Sequence, residues 1–348
     1  MSKLHKLWTV RTSCCGKMLR AVDYPDMGVI DEMRCGAELV GSVEKTGLWP
    51  TKFQPAMVTL DELHTIACRE RSGLRQQFVG ATDGNFIDQV WSKTMDEVQS
   101  GILVGPIPLS DILDDCPLSR RFGILQGQKV RCIDHLSRSS VNASVQTCES
   151  PKPHTIDVFS AMCVHLMSKL GSEDPWVGRT FDLVGAYKQC AVKPSSKKYA
   201  YIVVQKPGSL ELFSSAMLAL PFGSVRSVHS FLRISHSLWY VLVKEFKVLM
   251  TNYFDDFISV APFFRKLFGC VMCAHVLQTS WMGFCWSWWQ GPTFWGVFSG
   301  SWSQHQCVDT AFRTCWNWQH RNQTAWTCWV FGRSYSTWIH VQARSITP

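Results

Sequence analysis

Apolar and polar positions fall into clear periods only from about residue 85 of this 348-residue chain. Ahead of that point, residues 1–84 mix polar stretches with short apolar ones and carry no motif that points to a role. In "SKTMDEVQSGILVG", Met95, Val98 and Ile102 recur at helical spacing, and the Gly-Pro of "VGPIPLS" then breaks the run. "RRFGILQGQKVRCIDHL" carries apolar residues on either side of Gln-Gly and predicts a hairpin. "SPKPHTIDVFSAMCVHLMSKLG" opens as a loop and continues as an amphipathic helix ending near Gly171. "RTFDLVGAYKQCAV" predicts a strand that turns into a short helical stretch, and "KYAYIVVQ" a strand that pairs with "ELFSSAMLAL". "GSVRSVHSFLRISHSLWYVLVKEF" predicts a long helix opened by Gly223 and Ser224. "VLMTNYFDDFISVAP" then reads as strand, tight turn, strand.

Past residue 266 pattern and composition change together. No Lys follows Lys266, no Leu follows Leu277, no Glu follows Glu245, and Asp309 is the only acid beyond Asp256. Most of the chain's 16 Trp residues crowd this stretch, from Trp281 to Trp338. Leu, Glu and Lys are among the commonest residues of folded domains, so losing all three at once marks the segment off. Excess Trp, Cys, Ser, Arg and Gly is what misreading a GC-rich coding strand yields, and residues 266–348 read as an out-of-frame, poorly folded tail. Cys270, Cys273 and His275, with His305 and Cys307, have zinc-like spacing but are set aside with that tail. A membrane segment within residues 271–300 is interrupted by His275, Gln278 and Gln290.

Composition narrows the setting. The 15 cysteines are scattered through a large chain, which argues for free thiols in a reducing compartment. The start, "MSKLHKLWTVRTSCCGK", shows no apolar stretch followed by a small-residue cleavage site, so an intracellular protein, cytoplasmic or nuclear and off the membrane, is expected. A formal net charge of +8 favours a polyanionic partner.

Against that background the chemistry concentrates in "NYFDDF". Asp255 and Asp256 are adjacent like charges in an otherwise apolar and aromatic run, where burial and mutual repulsion both cost free energy. A hairpin with these acids at its tip presents them at one end of a sheet. Neighbouring side chains on a strand point opposite ways, so only one of the two faces a shared site squarely. Asp182, at the end of the strand in "TFDLVGAY", could supply a second ligand. Carboxylate oxygens suit Mg²⁺ or Mn²⁺, which need few protein ligands when a phosphate completes the shell. Two such ions roughly 3.5–4 Å apart can activate a hydroxyl and stabilise a leaving pyrophosphate. Taken singly, each residue also has a plainer reading: Asp255 and Asp256 an exposed turn, Asp182 a helix cap, Lys129 and Arg131 a solvated face, Tyr187 a core ring.

"NYFDDF" resembles the Tyr-x-Asp-Asp signature of reverse transcriptases, and "FDLVGAYKQ" resembles their first catalytic motif. "ALPFGSVRSVHSFLR" is similar to the intervening Pro-Phe-Gly motif of long-terminal-repeat and related retroelements, and "QGQKVRCID" to the fingers motif Lys-x-Arg-x-Ile-Asp. The four occur in the family's order over about residues 85–262. The resemblance implies an α+β fold: a right-hand polymerase with fingers and an antiparallel palm sheet at 85–265, after an N-terminal region at 1–84 and with the thumb missing. It assigns Asp182, Asp255 and Asp256 to catalysis and to two Mg²⁺ or Mn²⁺ ions. Lys129 and Arg131 would meet the triphosphate, Tyr187 would be the steric gate against a ribose 2′-hydroxyl, and Phe222 and Gly223 would shape the nucleotide floor.

The implied activity is RNA-directed DNA polymerisation, in which a primer 3′-hydroxyl on an RNA or DNA template attacks a dNTP. The chain departs from the family at His135, and nothing after Phe264 resembles the motifs that follow the Asp-Asp hairpin. The alternative is a catalytically dead retroelement remnant that at most binds nucleic acid.

Overall fold

A computed structural model describes residues 15–78, 86–170, 176–183, 185–262, 326–331 and 338–343. After a helical stretch at residues 15–21 come α1 (Val29–Cys35), β1 (Gly41–Ser42), β2 (Thr51–Gln54) and α2 (Leu60–Arg71). Then follow α3 (Ile87–Gln99), β3 (Leu103–Pro108), the hairpin β4 (Leu118–Gln126) and β5 (Lys129–Asp134), and β6 (Val145–Glu149). α4 (Ile156–Leu170) and β7 (Trp176–Asp182) precede β8 (Tyr201–Gln205), β9 (Leu212–Met217) and α5 (Val225–Lys244). The last elements are β10 (Met250–Tyr253), β11 (Asp256–Pro262), β12 (Trp326–Phe331) and β13 (Trp338–Ala343). Helices and several largely antiparallel sheets are mixed along the chain, compatible with the expected α+β class. Among the described residues no helix is long and apolar enough to cross a membrane.

Two units divide the chain: Met1–Pro153 with Gly185–Val241, and His154–Val184 with Leu242–Pro348. The first holds a five-stranded sheet in the order β3-β9-β8-β4-β5, antiparallel except between β4 and β8. A smaller sheet runs β1-β6-β2. The strands read from "KYAYIVVQ" and "ELFSSAMLAL" pair antiparallel as expected, from Tyr201↔Ala216 to Gln205↔Leu212. Ile202, Val203 and Val204 are all buried, so β8 is covered on both faces. On α5 the buried residues Phe231, Ile234, Leu238 and Val241 recur at three- and four-residue steps and form its inner stripe. Each such side chain contributes roughly 1.5–3 kcal/mol by leaving water.

Local chemistry explains the boundaries. The hairpin between β4 and β5 turns at Gly127 and Gln128, with Gly127 at φ 61, the sign that a two-residue turn demands of its first position. α5 is opened by Ser224, whose hydroxyl accepts the Ser227 N–H, while Asn142 Oδ1 accepts that of Val225 at 2.9 Å. α2 starts on a capping box between Thr59 and Glu62. One expectation is corrected here. The helical spacing through Ile102 does not continue, because α3 ends at Gln99. Gly101 at φ 76 lets its own N–H reach Val98 O and that of Ile102 reach Glu97 O, a Schellman closure that sends the chain into β3.

The second unit is a helix on a sheet. β11 lies between β10 and β7, antiparallel to both. Phe159, Met162, Cys163 and Leu166 form one stripe of α4 and pack on Ile258, Val260 and Leu249. His154, just before α4, is tied to the sheet twice: its N–H donates to Asn252 O, and its Nδ1 accepts the Asn252 N–H. Within the stretch read as a tail, β12 and β13 pair antiparallel from Trp326↔Ala343 to Phe331↔Trp338. Cys270, Cys273, His275, His305 and Cys307 lie outside the described residues.

Candidate functional site

The second unit gathers the three carboxylates at one end of its sheet. Asp182 is the last residue of β7, Asp256 the first of β11, and the two are register partners. Residues directly opposite on antiparallel strands put their side chains on the same face, with Cβ atoms about 4.5–5.5 Å apart. Asp255 sits in the turn between β10 and β11, where its carbonyl oxygen accepts the Leu183 N–H at 3.1 Å. Asp256, rather than Asp255, is thus the cross-strand neighbour of Asp182. The turn itself has only two residues, Phe254 and Asp255, since Tyr253 already pairs with Asp256. Phe254 takes φ 54, a conformation that two-residue hairpins usually give to Gly or Asn. A ring-bearing residue there costs about 1–2 kcal/mol, and such strain gathers at functional sites.

Like charges crowd this end of the sheet. Burial pushes the Asp256 carboxyl up to about 6, and the charges of Asp255 and Asp182 add to the push. Asp255 is raised as well, first by burial and further by Asp182, although a hydrogen bond from its own backbone pulls the other way. A cation opposite such a cluster would favour its charged form. Among the described residues no three His, Cys, Asp or Glu side chains form a ready-made metal cage. The donor set still fits Mg²⁺ or Mn²⁺ in kind. It offers hard carboxylate oxygens, and these ions bind through one or two carboxylates and take their remaining ligands from water and phosphate.

The other residues expected at the site belong to the first unit. Lys129 and Arg131 stand on β5 with Val130 buried between them, so both point out from the same exposed face. Tyr187 lies in the 3₁₀ turn Ala186–Gln189, entered through Gly185 at φ 64. Its ring stacks on Phe231 with centroids 4.7 Å apart and meets Phe222 edge-on at 5.6 Å. Phe222 is 57% exposed, unusual for a Phe that only packs. Gly223 has φ 98, a conformation strained for any side chain, and a Cβ there would crowd Asp134 O at 3.1 Å.

A second charge cluster in this unit escaped the reading of the sequence. Arg121 on β4 faces its register partner Asp134 on β5 and donates to it twice, at 2.6 and 3.0 Å. Its third bond, at 2.7 Å, goes to Glu97 on α3, whose other oxygen accepts from Lys188. Burial opposes the charges of Arg121 and Glu97. Their partners outweigh it, raising the pKa of Arg121 and lowering that of Glu97. The pair Arg121–Asp134 was within reach of the pattern: counting back from the Gly127 turn puts the two opposite each other, on the face of β4 that buries Ser119 and Gly123. Nothing local marks Glu97 or Lys188.

No protein-family model matches the chain, and none of the curated proteins compared with it does.

Proposed function

We propose that the chain derives from an RNA-directed DNA polymerase of retroelement type, a right-hand polymerase palm and fingers that extends a primer on an RNA or DNA template. The observation that carries this reading is the carboxylate cluster: Asp182 opposite Asp256, Asp255 in a strained turn beside them, and both acids of the turn raised by burial and by their neighbours' charge. Four sequence stretches that resemble the family's motifs, in the family's order, support reading these acids as its catalytic ones.

In this reading Asp182, Asp255 and Asp256 hold two divalent ions. Bound there, Mg²⁺ or Mn²⁺ would neutralise phosphate charge and ease loss of the proton from a primer 3′-hydroxyl. Lys129 and Arg131 offer exposed donors to the dNTP triphosphate. Tyr187, held against Phe231, would exclude a 2′-hydroxyl with its ring, and Phe222 would offer an apolar surface to a base or sugar. The net charge of +8 suits the nucleic-acid partner.

Primer extension with Mg²⁺ or Mn²⁺ on RNA and DNA templates tests the proposal. Extension by the unaltered chain should fall by about 3 orders of magnitude or more in Asp255→Asn, the scale seen when a group that acts in concert with others is removed. No extension under either metal, with salt-sensitive nucleic-acid binding intact, would replace it with the second reading, a binding-competent remnant. The loss of all Lys after Lys266 favours that second reading, since Lys266 is the one ammonium group left in the sequence beyond the Asp-Asp hairpin.

A further inference from the structure

We infer that Glu97 is a positioning residue for the nucleotide-binding side chains of the first unit: its carboxylate ties Lys188, the neighbour of Tyr187, to the Arg121–Asp134 pair at the end of β5. The inference rests on the polymerase reading above and deepens it.

Glu97 is held from behind. Its carbonyl oxygen closes the end of α3 by accepting the Ile102 N–H at 2.9 Å. α3 lies so close to β4 that a Cβ on Gly123 would meet the side chains of Phe86 and Val90 at 2.8 and 3.0 Å. Lys93 of the same helix donates to Val130 O on β5. With its backbone fixed, the carboxylate divides its two oxygens: Oε2 accepts from Arg121 at 2.7 Å, and Oε1 accepts from Lys188. Lys188 stands in the turn that carries Tyr187, and its N–H closes that turn on Gly185 O at 2.7 Å. At the far end of the cluster, Asp134 O abuts Gly223. The strand bearing Lys129 and Arg131 and the turn bearing Tyr187 are therefore tied to one set of charges, with the loop bearing Phe222 packed against the backbone at its end.

Glu97 is also the member the fold can spare. Without it Arg121 keeps both bonds to Asp134, whereas losing Arg121 would strand two carboxylates. Freeing Lys188 should let the Tyr187 turn shift, and a displacement of about 1 Å can cost up to about 100-fold at a reacting centre.

The experiment compares Glu97→Gln with the unaltered full chain by two readouts. Amine-selective labelling followed by mass spectrometry should show Lys188 becoming severalfold more reactive, with Lys193, paired to Glu38, unchanged as the internal control. Primer extension should show the preference for dNTP over rNTP, as a ratio of kcat/KM, falling roughly tenfold. Thermal unfolding should stay within a few degrees. If Glu97→Gln fails to fold, Lys188→Met cuts the same tether from its exposed end and should lower the preference alike. Unchanged Lys188 labelling, or raised labelling with unchanged preference, overturns the inference and leaves the polymerase reading standing. An unaltered chain that extends no primer removes the polymerase reading and this inference with it.

Discussion

Two clusters of charge, one in each unit, are built on the same device and end in opposite states. In both, an antiparallel pair sets two ionisable side chains directly across from each other: Arg121 with Asp134, and Asp182 with Asp256. The first pair is of opposite sign, accepts Glu97 as a third member, and favours the charged forms of Arg121 and Glu97. The second is of like sign, gains a further acid from the turn, and settles with Asp256 and Asp255 pushed toward their neutral forms. A balanced buried cluster needs nothing from outside the chain. A cluster of like charges is stabilised by a cation brought to it, and that asymmetry separates a candidate reaction site from scaffold.

Breaking the balanced cluster should give the largest effect. Arg121→Met leaves Asp134 and Glu97 buried without their cation, and stability to denaturant should fall by about 3–5 kcal/mol. A loss no larger than that of a surface substitution would mean the cluster is solvated and the contrast false.

Supplying a cation to the like-charged cluster comes next. Mg²⁺ or Mn²⁺ at 100 times its dissociation constant should raise stability by about 2.7 kcal/mol, visible as a higher unfolding midpoint. Asp182→Asn should remove most of that gain, and Arg121→Met should keep it. A gain that survives Asp182→Asn would place the metal elsewhere.

The smallest effect sharpens the comparison by pH. The folded carboxyl of Asp256, at about 6, lies above its ordinary value, so the fold holds this proton more tightly than the unfolded chain does. Its contribution to stability is complete below about pH 4 and is lost as pH rises through about 6. A gap of that size is worth about 3 kcal/mol in full, and solvent around a half-buried group reduces it to about 1 kcal/mol. With metal chelated, Asp256→Asn should therefore be about 1 kcal/mol more stable than the unaltered chain at pH 7.5, and equal to it at pH 4. An Asn variant less stable at both pH values would show that the carboxylate is compensated after all.

How far the sequence could be read follows the range of each interaction. Turns and caps are local, and they were legible: Gly127 fixed the register of one hairpin, and Ser224 opened α5 where expected. The box of Thr59 and Glu62 at α2 was equally local, lying in a region where no motif had been recognised. Ile102 was misplaced because its apolar spacing continues past Gly101, and backbone closure at a left-handed glycine overrides spacing. Asp182, Asp255 and Asp256 were legible as acids in apolar surroundings, but their pairing depends on strand register between segments more than 70 residues apart in sequence. The contacts of Arg233 with Asp26 and Glu32 were out of reach for the same reason: they join α5 to the start of the chain, with no local pattern at either end.

The two-residue turn at Phe254 and Asp255 acts, in effect, as a ruler. Its length alone decides which residue of β11 stands across from Tyr253, and so where every later side chain of that strand falls. One inserted residue there would leave all the acids in the sequence and turn the faces of β11 over, carrying Asp256 away from Asp182 and Val260 away from Phe159. At this point of the chain the spacing is as much a part of the site as the carboxylates themselves, and a change in length is graver than a change in letter.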